Sequence, residues 1–309
     1  MSKNILSNVI ESCKKVSEES KYVKINFEVL DRVIDNLDIS KIRYWLDTNP
    51  FNILESDCRT IINFLIVYHT IGDYCFWGEP KWEIDSDAGK LDGSYAMMYI
   101  VLNNIKNGNQ FNMSKEEFRK LLKGNTEIPL FDDRFDNLVE MNKILQQNDF
   151  YSLIEQYTKD NELFNYIIDK FPYFEDESEY SNYKVYFYKR AQLLTSDILH
   201  VREKLENVEV DYSNLAGCAD YKIPQVMRCY GILEFNDELA NLVDNKIEIE
   251  KDSEMEIEIR ANDIVVINYI ANKLNNKISR IDINDYIWLL GQDKSKMKML
   301  YHRTLTNKY

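Results

Sequence analysis

Glycine and proline are both scarce in this 309-residue chain, at nine and five residues. So little turn punctuation argues against a fold of many short strands and tight loops, and makes helix the first expectation. Histidine is rarer still, at His69, His200 and His302, and the five cysteines (Cys13, Cys58, Cys75, Cys218, Cys229) show no CxxC spacing. No zinc or iron–sulfur pattern can be assembled from these residues, so no metal is expected, and unpaired thiols point to the reducing cytoplasm. Long apolar runs are missing as well. The runs at 61–68 and 95–102 fall far short of the roughly 20 residues a membrane span needs. The N-terminal MSKNILSNVIESCKKVSEESK is a charged amphipathic pattern, not a signal peptide.

Positive charge is in deficit, with 38 Lys and Arg against 52 Asp and Glu and a net charge of −14. Proteins that grip a polynucleotide normally present a basic face, so that class of partner is disfavoured. A single phosphate needs only a few cations and backbone N–H groups, so a mononucleotide ligand stays open. At 45% hydrophobic residues the chain can bury a substantial core.

What is present is amphipathic spacing. Apolar residues recur at intervals of three and four over 3–17 and 26–46, separated by an extended piece, Tyr22-Val23-Lys24-Ile25. Residues 57–71 predict a buried helix with Asp57 as its N-cap, and 94–107 another. Ser114 followed by Glu117 is a capping-box start for 115–123. Further helices are expected over 133–148, 150–157, 161–170, 253–274 and 282–290, and 177–206 reads as mostly helical. The aromatic segment 72–93, with its Gly, Pro and Asp, suits a hairpin or an ordered loop. Within 213–233 a short helix, a tight turn at 220–223 and a second helix starting near Pro224 are expected, and 247–250 reads as a short strand. The fold class is mainly α with a small β or loop element. The chain reads as one domain, 1–309, or as two helical lobes meeting near 108–130, where Gly108, Gly124 and Pro129 gather.

Two acids stand in apolar, small-residue neighbourhoods. Asp197 lies among Leu193, Leu194, Ile198 and Val201, and Asp220 follows Ala216-Gly217-Cys218-Ala219. A carboxylate so placed costs several kcal/mol unless it is paired, hydrogen-bonded or protonated. With Lys189, Arg190, Lys222 and Arg228 nearby, the pair offers what cleavage of a sugar–base bond requires, negative charge beside a sugar that becomes cationic in the transition state.

At these residues the chain resembles the queuosine-salvage proteins, the queuosine 5′-phosphate N-glycosylases. The matching pieces run in one order along nearly the whole chain. They include Val23-Lys24-Ile25-Asn26, Asp73-Tyr74-Cys75-Phe76-Trp77, Phe171-Pro172-Tyr173-Phe174-Glu175-Asp176 and Tyr188-Lys189-Arg190-Ala191-Gln192-Leu193 with Asp197. Ala219-Asp220-Tyr221-Lys222-Ile223-Pro224-Gln225-Val226, Glu254–Arg260, Trp288–Gln292 and Tyr301-His302-Arg303-Thr304 complete the set. The family usually has Asn-Phe before Cys-Phe-Trp, where this chain has Asp73-Tyr74. The resemblance implies a helical fold similar to helix-hairpin-helix DNA glycosylases, acting on a small nucleotide. The implied reaction is hydrolysis of queuosine 5′-phosphate, or of the nucleoside queuosine, with release of queuine for tRNA modification. Water would be the second substrate, with no cofactor, no polynucleotide, no membrane and a monomeric state.

In that frame Asp220 is expected at the anomeric carbon, as electrostatic stabiliser, nucleophile or base. The plainer alternative is a cap on the helix near Pro224. Asp197 is the second acid, assisting at the ribose, reading the N1–H and amine of a guanine-like base or pairing with queuine's ammonium. Its alternative is a salt bridge with Lys189 or Arg190. Tyr74, Phe76 and Trp77, with Trp82, can form a stacking wall or simply pack a loop, and Phe76 and Asp73 are the preferred ligand contacts. His69 is a substrate contact or a hydrogen-bonded core residue. Lys189, Arg190 and Lys222, with Arg228 and the pair His302-Arg303, are phosphate candidates, each with solvated surface charge as the alternative. Glu256 and Arg260 read as an i,i+4 ion pair. Two other functions compete: a nucleobase- or nucleotide-binding protein without catalysis, and a helical interaction scaffold.

Overall fold

Helix starts are plentiful. Asp57, Ser114, Asp149, Asn236, Ser253 and Ser279 each accept a hydrogen bond from a backbone N–H of the turn that follows. Each such cap contributes about 1 kcal/mol. The computed structural model describes residues 5–87 and 89–309 and has, among them, thirteen α-helices and three two-stranded antiparallel ribbons. The fold is therefore mainly α with a small β element.

Two helices form the heart of the larger apolar cluster. Cys58–Ile71 is buried at every position from Phe64 to Ile71 and packs against Lys189–Glu206. A smaller apolar cluster joins Leu30, Ile223, Met227, Leu239, Ile267 and Ile283. The 20-residue helix Glu254–Lys273 touches both clusters, packing on Ile5–Glu19 along one side and Arg280–Leu290 along the other. Phe111, Phe118, Leu122 and Ile128, from the Gly- and Pro-containing stretch near 108–130, all belong to the larger cluster.

Most expected helices form at or near their expected limits, including Gly93–Lys106, Phe131–Leu145 and Asp160–Lys170. The capping box at Ser114 and Glu117 is complete in both directions. The extended piece at 22–25 becomes strand Val23–Ile25, paired with Leu233–Phe235, and segment 72–93 contains the hairpin Glu83–Ser86 with Gly89–Asp92. Residues 3 and 4 of the first expected helix lie outside the described residues.

Four expectations are corrected. Residues 177–186 are a hairpin, Glu177–Tyr180 with Tyr183–Tyr186, and helix begins only at Lys189. Ser181 and Asn182 turn it with φ of 46° and 67°, the left-handed pair that a two-residue hairpin needs. The segment 26–46 is helical only over Phe27–Asp35, after which Asp38 draws the chain into short 3₁₀ turns by accepting from the Ser40 N–H. No helix precedes Asp220, because Ala216 and Gly217 are held instead by the buried side chain of Gln192. Residues 247–250 make an isolated bridge from Glu248 to Arg303 instead of a strand.

Candidate active site

The packed helix pair carries the first part of the site. His69, in the last turn of Cys58–Ile71, faces Asp197 of Lys189–Glu206, with Nε2 2.8 Å from Asp197 Oδ2. Its other nitrogen, Nδ1, is 3.0 Å from Asp73 Oδ2. Both neighbours are carboxylates, so the ring satisfies them together only as an imidazolium donating from both nitrogens. Burial opposes that charge, but Asp197 and Asp73 outweigh it and raise the pKa of His69.

Asp73 stands on a short strained loop that leaves the helix. Its φ is 59° and that of Cys75 is 35°, left-handed backbone that is costly for a residue with a side chain. Arg134 stitches the loop, donating to the carbonyls of Ile71, Tyr74 and Cys75. Asp73 Oδ1 accepts from Lys189 Nζ at 2.7 Å, and the Asp73 carbonyl accepts from the same ammonium at 3.0 Å. Burial pushes the Asp73 carboxyl up, yet Lys189 and His69 together hold it well below the usual carboxylate range.

Asp220 sits next to the same lysine. Its Oδ1 accepts from the N–H groups of Lys222 at 2.6 Å and Ile223 at 3.2 Å, where helix Lys222–Cys229 begins. The contacts observed are those of the plainer expectation, an acid at the start of the helix near Pro224. One oxygen caps the helix, and Oδ2 has no hydrogen bond to a described residue while Asp220 lines the pocket. Burial raises the Asp220 pKa, and Lys189 and the two N–H groups offset part of the rise. From Asp197 through His69, Asp73 and Lys189 to Asp220 the charges alternate in sign.

The pocket these groups face is lined by Trp45, Tyr68, Phe76, Met98, Asp285 and Trp288, among others, with Asp73, Lys189 and Asp220. It encloses about 570 Å³ of space, its open mouth included. Apolar and aromatic walls around a few polar groups suit a flat heterocycle on a sugar. Helix Arg280–Leu290 supplies Asn284, Asp285 and Trp288 to this wall, with Asn284 fixed by accepting from the Cys218 N–H at 3.0 Å. Burial, with the nearby Asp197 charge, drives the Asp285 pKa well above the usual carboxylate value. No group of three or more His, Cys, Asp or Glu side chains among the described residues is arranged to hold a metal ion.

The residues singled out from sequence divide by position. Asp73, Tyr74, Phe76, Lys189 and Asp220 line the pocket, and Trp77 and Lys222 line a chamber adjoining it. Asp197 and His69 lie behind the wall, fully buried. Asp197 makes neither of the salt bridges expected for it. Its Oδ1 accepts from Trp45 Nε1 at 2.8 Å and Tyr44 Oη at 3.1 Å, which fixes Trp45 in the pocket wall. Arg190 points away from the pocket, into the carbonyls of His69, Thr70, Tyr173 and Asn307, between the rings of Tyr74 and Phe174. Arg228 pairs with Asp244, His302 with the Tyr309 hydroxyl, and Arg303 with Glu79. The Glu256–Arg260 pair forms at 3.6 Å, joined by a tighter bidentate contact of Arg260 with Asp176. Sequence reasoning missed Trp45, Asn284, Asp285 and Trp288. The nearest signal for the last three was the apolar spacing of 282–290, which gives a helix and not the direction it faces, while Trp45 lies at the end of the 26–46 pattern, outside the helix that forms there.

Comparison with known proteins yields one family and several relatives. A family model described as "Queuosine salvage protein" matches residues 52–309. A Sphaerobacter thermophilus protein named queuosine 5′-phosphate N-glycosylase/hydrolase is 25% identical, over 96% of this chain and 96% of its own length. A Dictyostelium discoideum protein of the same name is 26% identical over 98% and 99%. One from Nematostella vectensis is 29% identical over 72% and 69%.

Proposed function

The chain belongs to the queuosine salvage protein family, and from that premise we propose that it hydrolyses the N-glycosidic bond of queuosine 5′-phosphate and releases queuine. The observation that carries the reading is the divided carboxylate of Asp220. One oxygen is fixed on a helix N-terminus, and the side chain faces an aromatic pocket beside a buried lysine.

Queuine is a 7-deazaguanine. Carbon replaces N7, whose protonation ordinarily makes a purine a good leaving group, so catalysis must lean on the sugar side. As the C1′–N9 bond breaks, its electron pair leaves with the base and positive charge spreads over the ribose. Asp220 supplies the opposing charge at C1′. Water adds at that carbon, giving a proton to Asp220, whose raised pKa suits a base. Asp285 lines the same pocket, and we assign it as the candidate proton donor to a nitrogen of the departing base. Phe76, Tyr68 and Trp288 supply faces for the heterocycle. Asp197 and His69 act behind this layer, holding Trp45 and Asp73 in place. We place the reaction in the cytoplasm, where the five free cysteines stay reduced. We further propose that the chain works as a monomeric single domain.

Product analysis by the wild-type protein tests this directly. Queuosine 5′-phosphate, queuosine and GMP are incubated separately and released base is separated and quantified. The expected result is queuine from queuosine 5′-phosphate. Binding of that nucleotide with no base released would replace hydrolysis by simple ligand binding.

A further inference from the structure

The reaction above gives His200 no part, yet this side chain joins the elements that build the pocket wall. It stands three residues beyond Asp197 on helix Lys189–Glu206. Its ring lies between two tyrosines, 4.2 Å from Tyr44 with 9° between the planes and 4.5 Å from Tyr212 with 25°. Both ring nitrogens face acceptors. Nδ1 is 2.9 Å from the Ser196 carbonyl oxygen and 3.2 Å from the Ser196 hydroxyl, and Nε2 is 3.3 Å from Asp282 Oδ1. A neutral imidazole has a single N–H, so only the imidazolium donates to the carbonyl and the carboxylate together. A cation held over aromatic faces is stabilised by them as well.

The titratable groups around the ring come from three packed elements. Helix Arg280–Leu290 brings Asp282 and Asp285. The stretch 207–214 brings Tyr212, whose hydroxyl donates to Glu203 at 3.0 Å. The segment leading into Trp45–Thr48 brings Tyr44, whose hydroxyl donates to Asp197 Oδ1 at 3.1 Å. Burial keeps both tyrosines neutral by raising their pKa. Burial also pulls the His200 pKa down, but Asp282, Asp285 and the Ser196 carbonyl outweigh it and raise the value. Tyr44 directly precedes Trp45, whose backbone N–H donates to Asp285 Oδ2 at 3.3 Å and whose ring lines the pocket. Through Tyr44 and Asp282 the imidazolium therefore ties Trp45 and helix Arg280–Leu290 to Lys189–Glu206.

We propose that His200, as an imidazolium, is a positioning residue that holds Trp45 against helix Arg280–Leu290, so that substrate affinity depends on its proton. The inference rests on the reaction proposed above and adds a pH dependence of KM separate from the chemistry at Asp220. Because the folded pKa is raised above the unfolded value of about 6.5, the brace is complete below that pH and is lost as pH rises through the folded value. His200→Gln abolishes the titration and keeps a polar side chain. The ratio of variant to wild-type KM for queuosine 5′-phosphate cancels the substrate's own ionisation. At about pH 6 that ratio should be about threefold to tenfold, within the range of a cation–π contact, with kcat unchanged. It should decline toward one by about pH 9, as the wild type loses the same charge. Imidazole NMR gives a readout that needs no turnover. The chain has three histidines, and the resonance missing from His200→Gln is that of His200. Its midpoint should lie above about 6.5 in the wild type and fall in Asp282→Asn. Should wild type release no queuine, the reaction falls, and the NMR midpoint with the ratio of nucleotide dissociation constants still judges the brace. A His200 midpoint below about 6.5 overturns the proposal. So does a folded His200→Gln variant whose KM ratio is one at pH 6, or is the same at every pH, as a merely structural histidine would give.

Discussion

Replacing Lys189 by Met should turn the site's chain of alternating charges into a pH-sensitive liability. The ammonium is 2% exposed and lies 2.7 Å from Asp73 Oδ1, with Asp220 next to it electrostatically. Methionine keeps the length of the side chain and deletes the charge, which leaves two buried carboxylates facing a neutral group. Breaking a buried pair this way costs about 3–5 kcal/mol near neutral pH. In the wild type the folded pKa of Asp73 is depressed, so Asp73 stabilises the fold above its unfolded pKa of about 3.9, and that stability is lost only as pH falls through the lower folded value. Without the lysine, Asp73 loses a main cause of that depression, and burial lifts Asp220 further. Folded carboxyls above their unfolded value penalise the variant at neutral pH and cease to do so once protonated. Urea unfolding near pH 7 and about pH 5 should therefore show a deficit against wild type that shrinks at the lower pH. Queuine release tests the same electrostatics through activity. The acid limb of the rate profile should move up by about one unit or more as Asp220 holds its proton to higher pH. An equal stability deficit at both pH values, together with an unmoved acid limb, would refute the coupling of Lys189 to these acids.

Three other outcomes follow from the same contacts. Asp197→Ala leaves the buried donors of Trp45, Tyr44 and His69 without an acceptor, so stability should fall by roughly 3 kcal/mol or more and KM should rise as Trp45 loosens, measured by unfolding and by steady-state kinetics. Arg190→Lys cannot reproduce a planar fork donating to four carbonyls; a melting temperature lowered by several degrees is expected, and no change would mean the fork is dispensable. Burial holds His302 neutral, with its pKa down to about 3, so the unfolded chain takes up a proton there as pH falls below about 6.5 and the folded chain does not. His302→Gln should therefore flatten the loss of stability between about pH 6.5 and pH 4 by up to roughly 1.4 kcal/mol per pH unit, read from unfolding curves across that range.

How much of this was legible in the sequence depends on how local each cause is. Asp57 before 58–71 and Ser114 with Glu117 are caps that act within one turn, and they gave the helices that form. The hairpin at 177–186 was hidden because Glu and Lys fill its exposed positions and mask the alternation of Ser178, Tyr180 and Val185, whose burial comes from tertiary packing. The pairing of Val23–Ile25 with Leu233–Phe235 joins segments that no local pattern links. At the site, Asp220 beside Lys222 was readable because the capping geometry is local. Lys189 and Asp73 were both legible as residues of interest, but their meeting was not. Arg190, adjacent to Lys189, reads as an equivalent cation, and only its place on the helix turns it into the core. Asp285 gave no local sign at all, since its role depends on the face that Arg280–Leu290 presents to helices distant in sequence.

The account stands or falls on the Asp220 carboxylate, and Asp220→Asn isolates it. The amide keeps a carbonyl oxygen for the Lys222 and Ile223 N–H groups, so the helix cap and the fold should survive. Queuine release from queuosine 5′-phosphate is measured for wild type and variant, alongside thermal unfolding and nucleotide binding. The account predicts a folded variant that still binds the nucleotide and releases queuine at least a hundredfold more slowly, about the loss expected when a group that stabilises the transition state is removed. A folded Asp220→Asn variant that releases queuine at the wild-type rate would contradict it.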